Sequence, residues 1–123
     1  MKILDTNIFI DYFREYRAGI EYLESLESEA GFSAITETEI VSGSKCRRKE
    51  VRKRALQFLQ NWKKIEVDNP IARRAGDIRR ENDITINDAI IAATALNNDA
   101  KLVTRNVKDF EPVEELEVEK PYE

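Results

Sequence analysis

Lys2-Ile3-Leu4-Asp5-Thr6-Asn7 is the stretch from which the rest of the chain is best read. Lys2-Ile3-Leu4 is a short, mostly apolar run of the kind that forms a buried strand, and Asp5-Thr6-Asn7 marks a strand-to-helix junction, because Asp is a favoured N-cap. Ile8 to Phe13 continues as a helical turn or two. The same alternation recurs downstream. Ile20, Leu23 and Leu26 stand at helical spacing before Gly31, Phe32 to Ile35 reads as a second strand, and Thr36 opens a helix that ends near Gly43. Val51, Ala55, Phe58, Leu59 and Trp62 mark the apolar face of a further helix. Ile65-Glu66-Val67 is read as a third strand, and Pro70 suits the first turn of a helix carrying Ile71, Ala75 and Ile78 inward. Asn87 to Leu96 is a small-residue helix, Lys101 to Thr104 a fourth strand, and Leu116-Glu117-Val118 a fifth at an edge. Strands alternating with helices predict a parallel α/β sheet, here as one domain over residues 1–123.

Composition narrows the chemistry. The chain has 123 residues, 41% of them hydrophobic, which suits one globular core. The longest largely apolar stretch, Ala89 to Leu96, is far short of the roughly 20 residues of a membrane span, and Asp5 follows Met1-Lys2-Ile3-Leu4 too soon for a signal peptide. The single cysteine, Cys46, leaves no internal disulfide and no cysteine zinc site. A cytoplasmic protein without membrane contact is expected. Histidine is absent, so no Ser-His-Asp or Cys-His mechanism is available. Carboxylates, hydroxyls, amides, Lys and Arg must carry any catalysis, and an oxygen-rich donor set suits Mg²⁺ or Mn²⁺. The net charge of −4 conceals a basic segment: from Lys45 to Lys64 nine cations face one acid, Glu50. Such a segment either steers a polyanion or forms a solvated helix face.

In an open parallel sheet, ligands bind beyond the carboxyl ends of the strands, near the point where strand order reverses. Acids cluster in the corresponding parts of this sequence. Asp5 follows the first strand, Glu39 lies in the first helical turn after the second, Asp88 lies in the first turn of the alanine-rich helix, and Asp109 lies five residues past the fourth strand. Each also has a purely structural reading. Asp5 is a helix cap, Thr36-Glu37-Thr38-Glu39 fits a capping box, Asp88 suits a helix dipole and Asp109 a turn. If the strands are parallel and the first and fourth adjacent, the four converge, and a cation is the usual means of tolerating such repulsion.

Four segments together carry a family resemblance: Ile3-Leu4-Asp5-Thr6-Asn7; Ser33-Ala34-Ile35-Thr36-Glu37-Thr38-Glu39-Ile40 with Gly43; Asn87-Asp88-Ala89-Ile90-Ile91-Ala92-Ala93; and Leu102-Val103-Thr104-Arg105-Asn106-Val107-Lys108-Asp109-Phe110. In order and spacing they resemble the PIN domain, and more narrowly the VapC-type toxins of prokaryotic toxin–antitoxin pairs. The resemblance implies a three-layer α/β/α sandwich around a parallel sheet of four or five strands, and Mg²⁺- or Mn²⁺-dependent cleavage of RNA. It matches Asp5, Glu39 and Asp88 to the family's acidic positions. Asn106 stands where many members carry an acid: either its amide replaces a ligand or binds one through water, or Asp109, three residues on, is the substitute that completes the site, and the number of metal ions stays open. The resemblance implies Asp5 and Asp88 as primary ligands, with Glu39 a ligand, direct or through water, or an orienting group for the nucleophile. Thr6, Asn7, Thr104 and Asn106 support them. It further implies a homodimer and an antitoxin partner, for which Ile8, Phe9, Tyr12, Phe13 and Tyr22 are candidate surface or, alternatively, core.

Three rival readings stand beside this one. A phosphoacceptor receiver domain wants paired acids after the first strand and an aspartate after the third, and an Asp-x-Asp phosphatase wants a second aspartate two residues on. Neither fits Asp5-Thr6-Asn7 or Asp68-Asn69-Pro70. A degenerate PIN-like module that binds RNA or protein without catalysis is the alternative that Asn106 keeps in view.

Overall fold

The computed structural model covers Met1 to Glu123. Its elements run β1 (Lys2–Leu4), α1 (Thr6–Phe13), α2 (Arg17–Ser25), β2 (Ala30–Ser33), α3 (Ala34–Val41), a 3₁₀ turn (Ser44–Arg47), α4 (Lys49–Leu59), β3 (Lys63–Ile65), α5 (Asn69–Glu81), α6 (Ile86–Asn97), β4 (Lys101–Val103), α7 (Val107–Phe110) and β5 (Val118–Glu119). The five strands form one sheet in the order β3-β2-β1-β4-β5, and every pairing is parallel. β1 therefore lies at the centre, and the strand order reverses between β1 and β4.

Successive residues of a strand face opposite sides of the sheet, and the short strands here use that rule economically. Ile3 and Leu102 face one side, where they join Ile71, Ala75 and Ile78 of α5 and Ile91, Ala92 and Ala95 of α6. Leu4, Phe32 and Val103 face the other, against Ile8 and Phe9 of α1, Leu23 of α2, Ile40 of α3, and Ala55 and Leu59 of α4. Helices thus cover both faces, giving the expected α/β/α sandwich. The alanines of α6 are fully buried, which lets that helix lie close beneath the sheet. On the opposite face Phe9 meets Phe32 and Trp62 edge-on, at 5.5 and 5.3 Å between ring centroids, a preferred aromatic geometry. No helix is long and apolar enough to cross a membrane.

Several element boundaries move from their expected places, each for a local reason. β2 spans Ala30–Ser33 rather than Phe32–Ile35, because the Ser33 side chain accepts the N–H of Ile35 and so starts α3 at Ala34. β3 uses Lys63–Ile65 rather than Ile65–Val67. It is an edge strand whose backbone pairs Gly31, Phe32 and Ser33, and charged side chains are well tolerated there. Val67 is exposed, and Asp68 caps α5 by accepting the Ile71 N–H at 3.0 Å. β5 begins at Val118, since Leu116 leaves the sheet's edge to bury itself in the α5–α6 core. The basic segment splits into the 3₁₀ turn and α4 at Arg48.

Gly31 lies where β2 runs against β3, and a Cβ built there would stand 2.7 Å from the Lys63 carbonyl oxygen. Gly31→Ala is expected to lower the unfolding free energy by about 1–3 kcal/mol, the usual range for overpacking. Urea denaturation checks this, and an unchanged midpoint would show that the edge strand moves aside freely.

Candidate active site

The carboxyl ends of β1, β2 and β4 open toward the N-termini of α1, α3, α6 and α7, and the sequence-predicted acids lie along this edge. Asp5 ends β1 and caps α1. Its backbone N–H is bound to the Val103 carbonyl at 2.9 Å, while Oδ1 accepts the Thr6 N–H at 2.8 Å and Oδ2 accepts the Thr104 hydroxyl at 2.7 Å. The residue is only 5% exposed. Burial pushes its pKa up to about 6, the negative charges of Asp88 and Glu39 add to the rise, and the Thr104 and Thr6 hydrogen bonds oppose it. The capping role and the site role of Asp5 therefore coexist: one oxygen serves the helix and the other the strand crossing.

Glu39 does not close a capping box. Ser33 caps α3, Thr36 is fully buried within the helix, and Glu39 lies in the second turn rather than the first. Its Oε1 accepts the Thr6 hydroxyl at 2.6 Å, and its Oε2 faces the Asn87 amide at 3.4 Å. The hydroxyls of Thr6 and Thr36 are 2.9 Å apart. Thr6 has one hydroxyl proton and directs it to Glu39, so Thr36 is the donor in that pair. Asp88 lies in the first turn of α6, where its N–H donates to the capping Thr85 hydroxyl at 3.2 Å. Partial burial raises its pKa, helped by the charges of Asp109 and Glu39.

Thr104 is the crossing point of the polar network. Besides donating to Asp5, its Oγ1 accepts the Asn106 backbone N–H at 3.0 Å and lies 3.4 Å from the Asn7 amide nitrogen. Asn106 occupies the N-cap position of α7, but its side chain makes no capping bond and is exposed. Asp109 is exposed in α7. The Oδ1 of Asn7 is buried and has no hydrogen-bond partner.

The charges of Asp88 and Glu39 act on Asp5, and those of Asp109 and Glu39 act on Asp88. No three of the chain's carboxylates close on a common point at ligand distance, so they form an electrostatically coupled cluster rather than a finished cage. The donor set is nonetheless hard oxygen throughout, with a buried anion at its centre and an orphan amide oxygen beside it. Those features fit a Mg²⁺- or Mn²⁺-sized cation. Thr36, Asn87 and the Asp11–Arg105–Tyr122 group lie beside the site without having been expected there from the sequence. Asp11 carried the clearest signal, an acid inside the apolar run Ile8 to Phe13. The structure also divides the candidate partner surface: Ile8 and Phe9 are core, whereas Tyr12 is half-buried and Phe13 exposed.

A model of the PIN domain matches residues 2–116. The chain belongs to the PIN-domain family. Ribonuclease VapC10 of Mycobacterium tuberculosis is 30% identical to this PIN domain over 123 residues, spanning 94% of this chain and 90% of its own. A toxin–antitoxin complex from Klebsiella pneumoniae superposes with a TM-score of 0.85 at 34% identity, covering 100% of this chain and 99% of the matched one. VapBC2 from Rickettsia felis, solved bound to a promoter DNA fragment, gives 0.81 at 29% identity, with 96% of both chains covered.

The raised pKa of Asp5 has a thermodynamic consequence. Its folded value of about 6 exceeds the ordinary 3.8, so the stability it contributes is full below pH 3.8 and is lost as pH rises through 6. In EDTA, Asp5→Asn is expected to be more stable than wild type at pH 8, by up to about 3 kcal/mol, with the gap closing below pH 4. Denaturation at the two pH values measures it, and a gap that does not change with pH would contradict a buried, ionising carboxylate.

Proposed function

We propose that this PIN domain is a divalent-metal-dependent endoribonuclease and the toxin of a toxin–antitoxin pair. The observation that carries the reading is the coupled set of carboxylates around buried Asp5, at the carboxyl edge where the strand order reverses. The ribonuclease and toxin–antitoxin names of its relatives support it. Residues 1–123 are taken as one catalytic domain.

Asp5 and Asp88 hold Mg²⁺ or Mn²⁺, with Asp109 completing the set in place of Asn106. When bound, the cation supplies charge neutralisation, Lewis-acid polarisation of the phosphoryl oxygen and a lowered pKa for the attacking water. Glu39 holds the cation, directly or through water, or orients the nucleophile. Thr104 fixes the direction of Asp5 Oδ2, and Thr6 fixes that of Glu39 Oε1. Neutral hydroxyls achieve this without adding charge to a crowded anionic edge. Asn7, through its free Oδ1, and Asn106, at the mouth of the site, are supporting residues.

The antitoxin is assigned to the groove of about 540 Å³ between α1, α3 and α4, lined by Tyr12, Phe13, Ile40 and Phe58, with Arg54 and Glu39 among its polar walls. Glu39 joins this groove to the acidic edge, so a partner seated there reaches the catalytic carboxylates. A homodimer belongs to the same reading.

The test is cleavage of a labelled structured RNA by wild type, Asp5→Asn and Asp88→Asn, each with Mg²⁺, Mn²⁺ or EDTA. Cleavage is expected only with metal and is expected to fall about 100-fold or more in both folded variants, since losing even a residue that only supports a metal ligand costs about 10–100-fold. Cleavage that persists in the variants would remove this mechanism. A wild type that binds RNA but cuts none would instead support a non-catalytic module.

A further inference from the structure

Two adjoining surface hollows lie beside the acidic edge, and they share Arg105, Asn106 and Lys120. The first, of about 340 Å³, adds Asn7 and Glu123 and has no apolar wall. The second, of about 490 Å³, adds Lys108, Asp109 and Glu111, with Val107 its one apolar residue. Together they form a polar trough running from Asn7, next to Asp5, to Asp109, the outermost of the coupled acids.

We infer that this trough is a subsite for an RNA backbone phosphate next to the one that is cut, with Arg105, Lys108 and Lys120 as its cations and Asn7 and Asn106 as its amides. The inference rests on the ribonuclease reading, to which it adds the path of the strand.

The walls select for the class of ligand. A nucleobase needs an aromatic or apolar face to stack on, and the trough offers almost none, whereas cations and amide donors match phosphate oxygens. Arg105 is already set in place. Its Nη1 donates to Asp11 Oδ2 at 3.0 Å, and its guanidinium lies against the Tyr16 and Tyr122 rings, 5.0 and 5.5 Å from their centroids. The Tyr122 hydroxyl donates to the same Asp11 oxygen at 2.8 Å. Asp11 is 8% exposed, so this anchor is firm, and the remaining guanidinium N–H groups are not used by any other hydrogen bond within the chain. A planar fork held this way loses little freedom on binding. Lys108 is exposed and has no ion-pair partner. Lys120 is met by the Glu123 carboxylate at 3.1 Å in the first hollow, so an anionic oxygen already occupies the position assigned to phosphate. That pair is largely exposed and therefore weak enough for a polyanion to displace. The basic helix α4, the more obvious polyanion surface in the sequence, contributes nothing to this trough.

The test uses the whole chain carrying Lys120→Ala, Lys108→Ala or Glu123→Gln, with Lys53→Ala on the exposed face of α4 as control. Binding of a fluorescent 12-nucleotide RNA is followed by anisotropy in EDTA over a KCl series, after circular dichroism melting shows that each variant is folded. Steady-state cleavage with Mg²⁺ is measured in parallel. For the trough, the slope of log K against log salt falls by about 0.7 in Lys120→Ala and in Lys108→Ala, the value for one single-strand phosphate contact. Lys53→Ala keeps the wild-type slope, and Glu123→Gln binds more tightly. KM rises in the two trough variants while kcat is held. Wild-type slopes in both trough variants, an equal loss in Lys53→Ala, or no RNA binding by wild type would overturn the subsite. If wild type cleaves RNA and the trough variants behave like it, the subsite fails alone. If the slopes shift as stated but no RNA is cut, the ribonuclease reading fails and the subsite stands as an RNA-binding site.

Discussion

The hydrogen bond from the Thr104 hydroxyl to Asp5 Oδ2, 2.7 Å long, is the constraint on which the acidic edge depends. It joins the ends of β1 and β4, the two strands between which the sheet reverses, and it does so at the most deeply buried carboxylate of the cluster. An ionised carboxylate out of water is tolerable only if its lone pairs are met, and here each oxygen has one donor. The same Thr104 oxygen receives the Asn106 N–H, so the turn into α7 is fixed by the bond that fixes Asp5. Thr6 plays the matching part on the other side, tying α1 to Glu39 of α3. Five elements, β1, β4, α7, α1 and α3, are thus registered by two hydroxyl groups. The close parallel pairing of β1 and β4 keeps them at that spacing.

Much of this arrangement is legible in the sequence, because the features that create it are local. The positions of Asp5 after Lys2-Ile3-Leu4, of Asp88 in the first turn of α6 and of the small residues Ala92, Ala93 and Ala95 follow from spacing alone. What misleads is whatever depends on a partner distant in the chain. Thr36-Glu37-Thr38-Glu39 has the form of a capping box, but Thr36 faces Thr6 and Glu39 receives that residue's proton, contacts 30 and 33 residues away in sequence. β3 is displaced for a similar reason. Apolar content points to Ile65-Glu66-Val67, but an edge strand is chosen by the backbone it pairs, and Lys63 and Lys64 meet Gly31 and Phe32. Asp11 and Arg105 are unremarkable separately, and only the fold brings them to 3.0 Å.

The charge distribution also has a simpler logic than the net charge of −4 suggests. Asp5, Glu39 and Asp88 gather at one edge, the place where a cation offsets their charge most directly. Cations stand on both flanks of that edge, Lys108 and Lys120 toward the trough, Lys45 and Arg54 toward the apolar groove. The two flanks differ in the surface between the charges. Tyr12, Phe13 and Phe58 make the groove side suited to an amphipathic protein segment, while the trough is polar almost throughout. Both surfaces border the acidic edge, the groove through Glu39 and the trough through Asp109.

Trp62, the chain's only tryptophan, closes the aromatic stack behind that groove. Its ring lies 5.0 Å from Phe58, a groove-lining residue, and 5.3 Å from Phe9 in the core. It is half-buried, so its indole senses both solvent and packing. The protein thereby carries a single tryptophan fluorophore at the junction of its hydrophobic interior and the surface that bears the apolar groove. Its emission reports, without any attached label, both the docking of α4 onto the sheet and the filling of the groove.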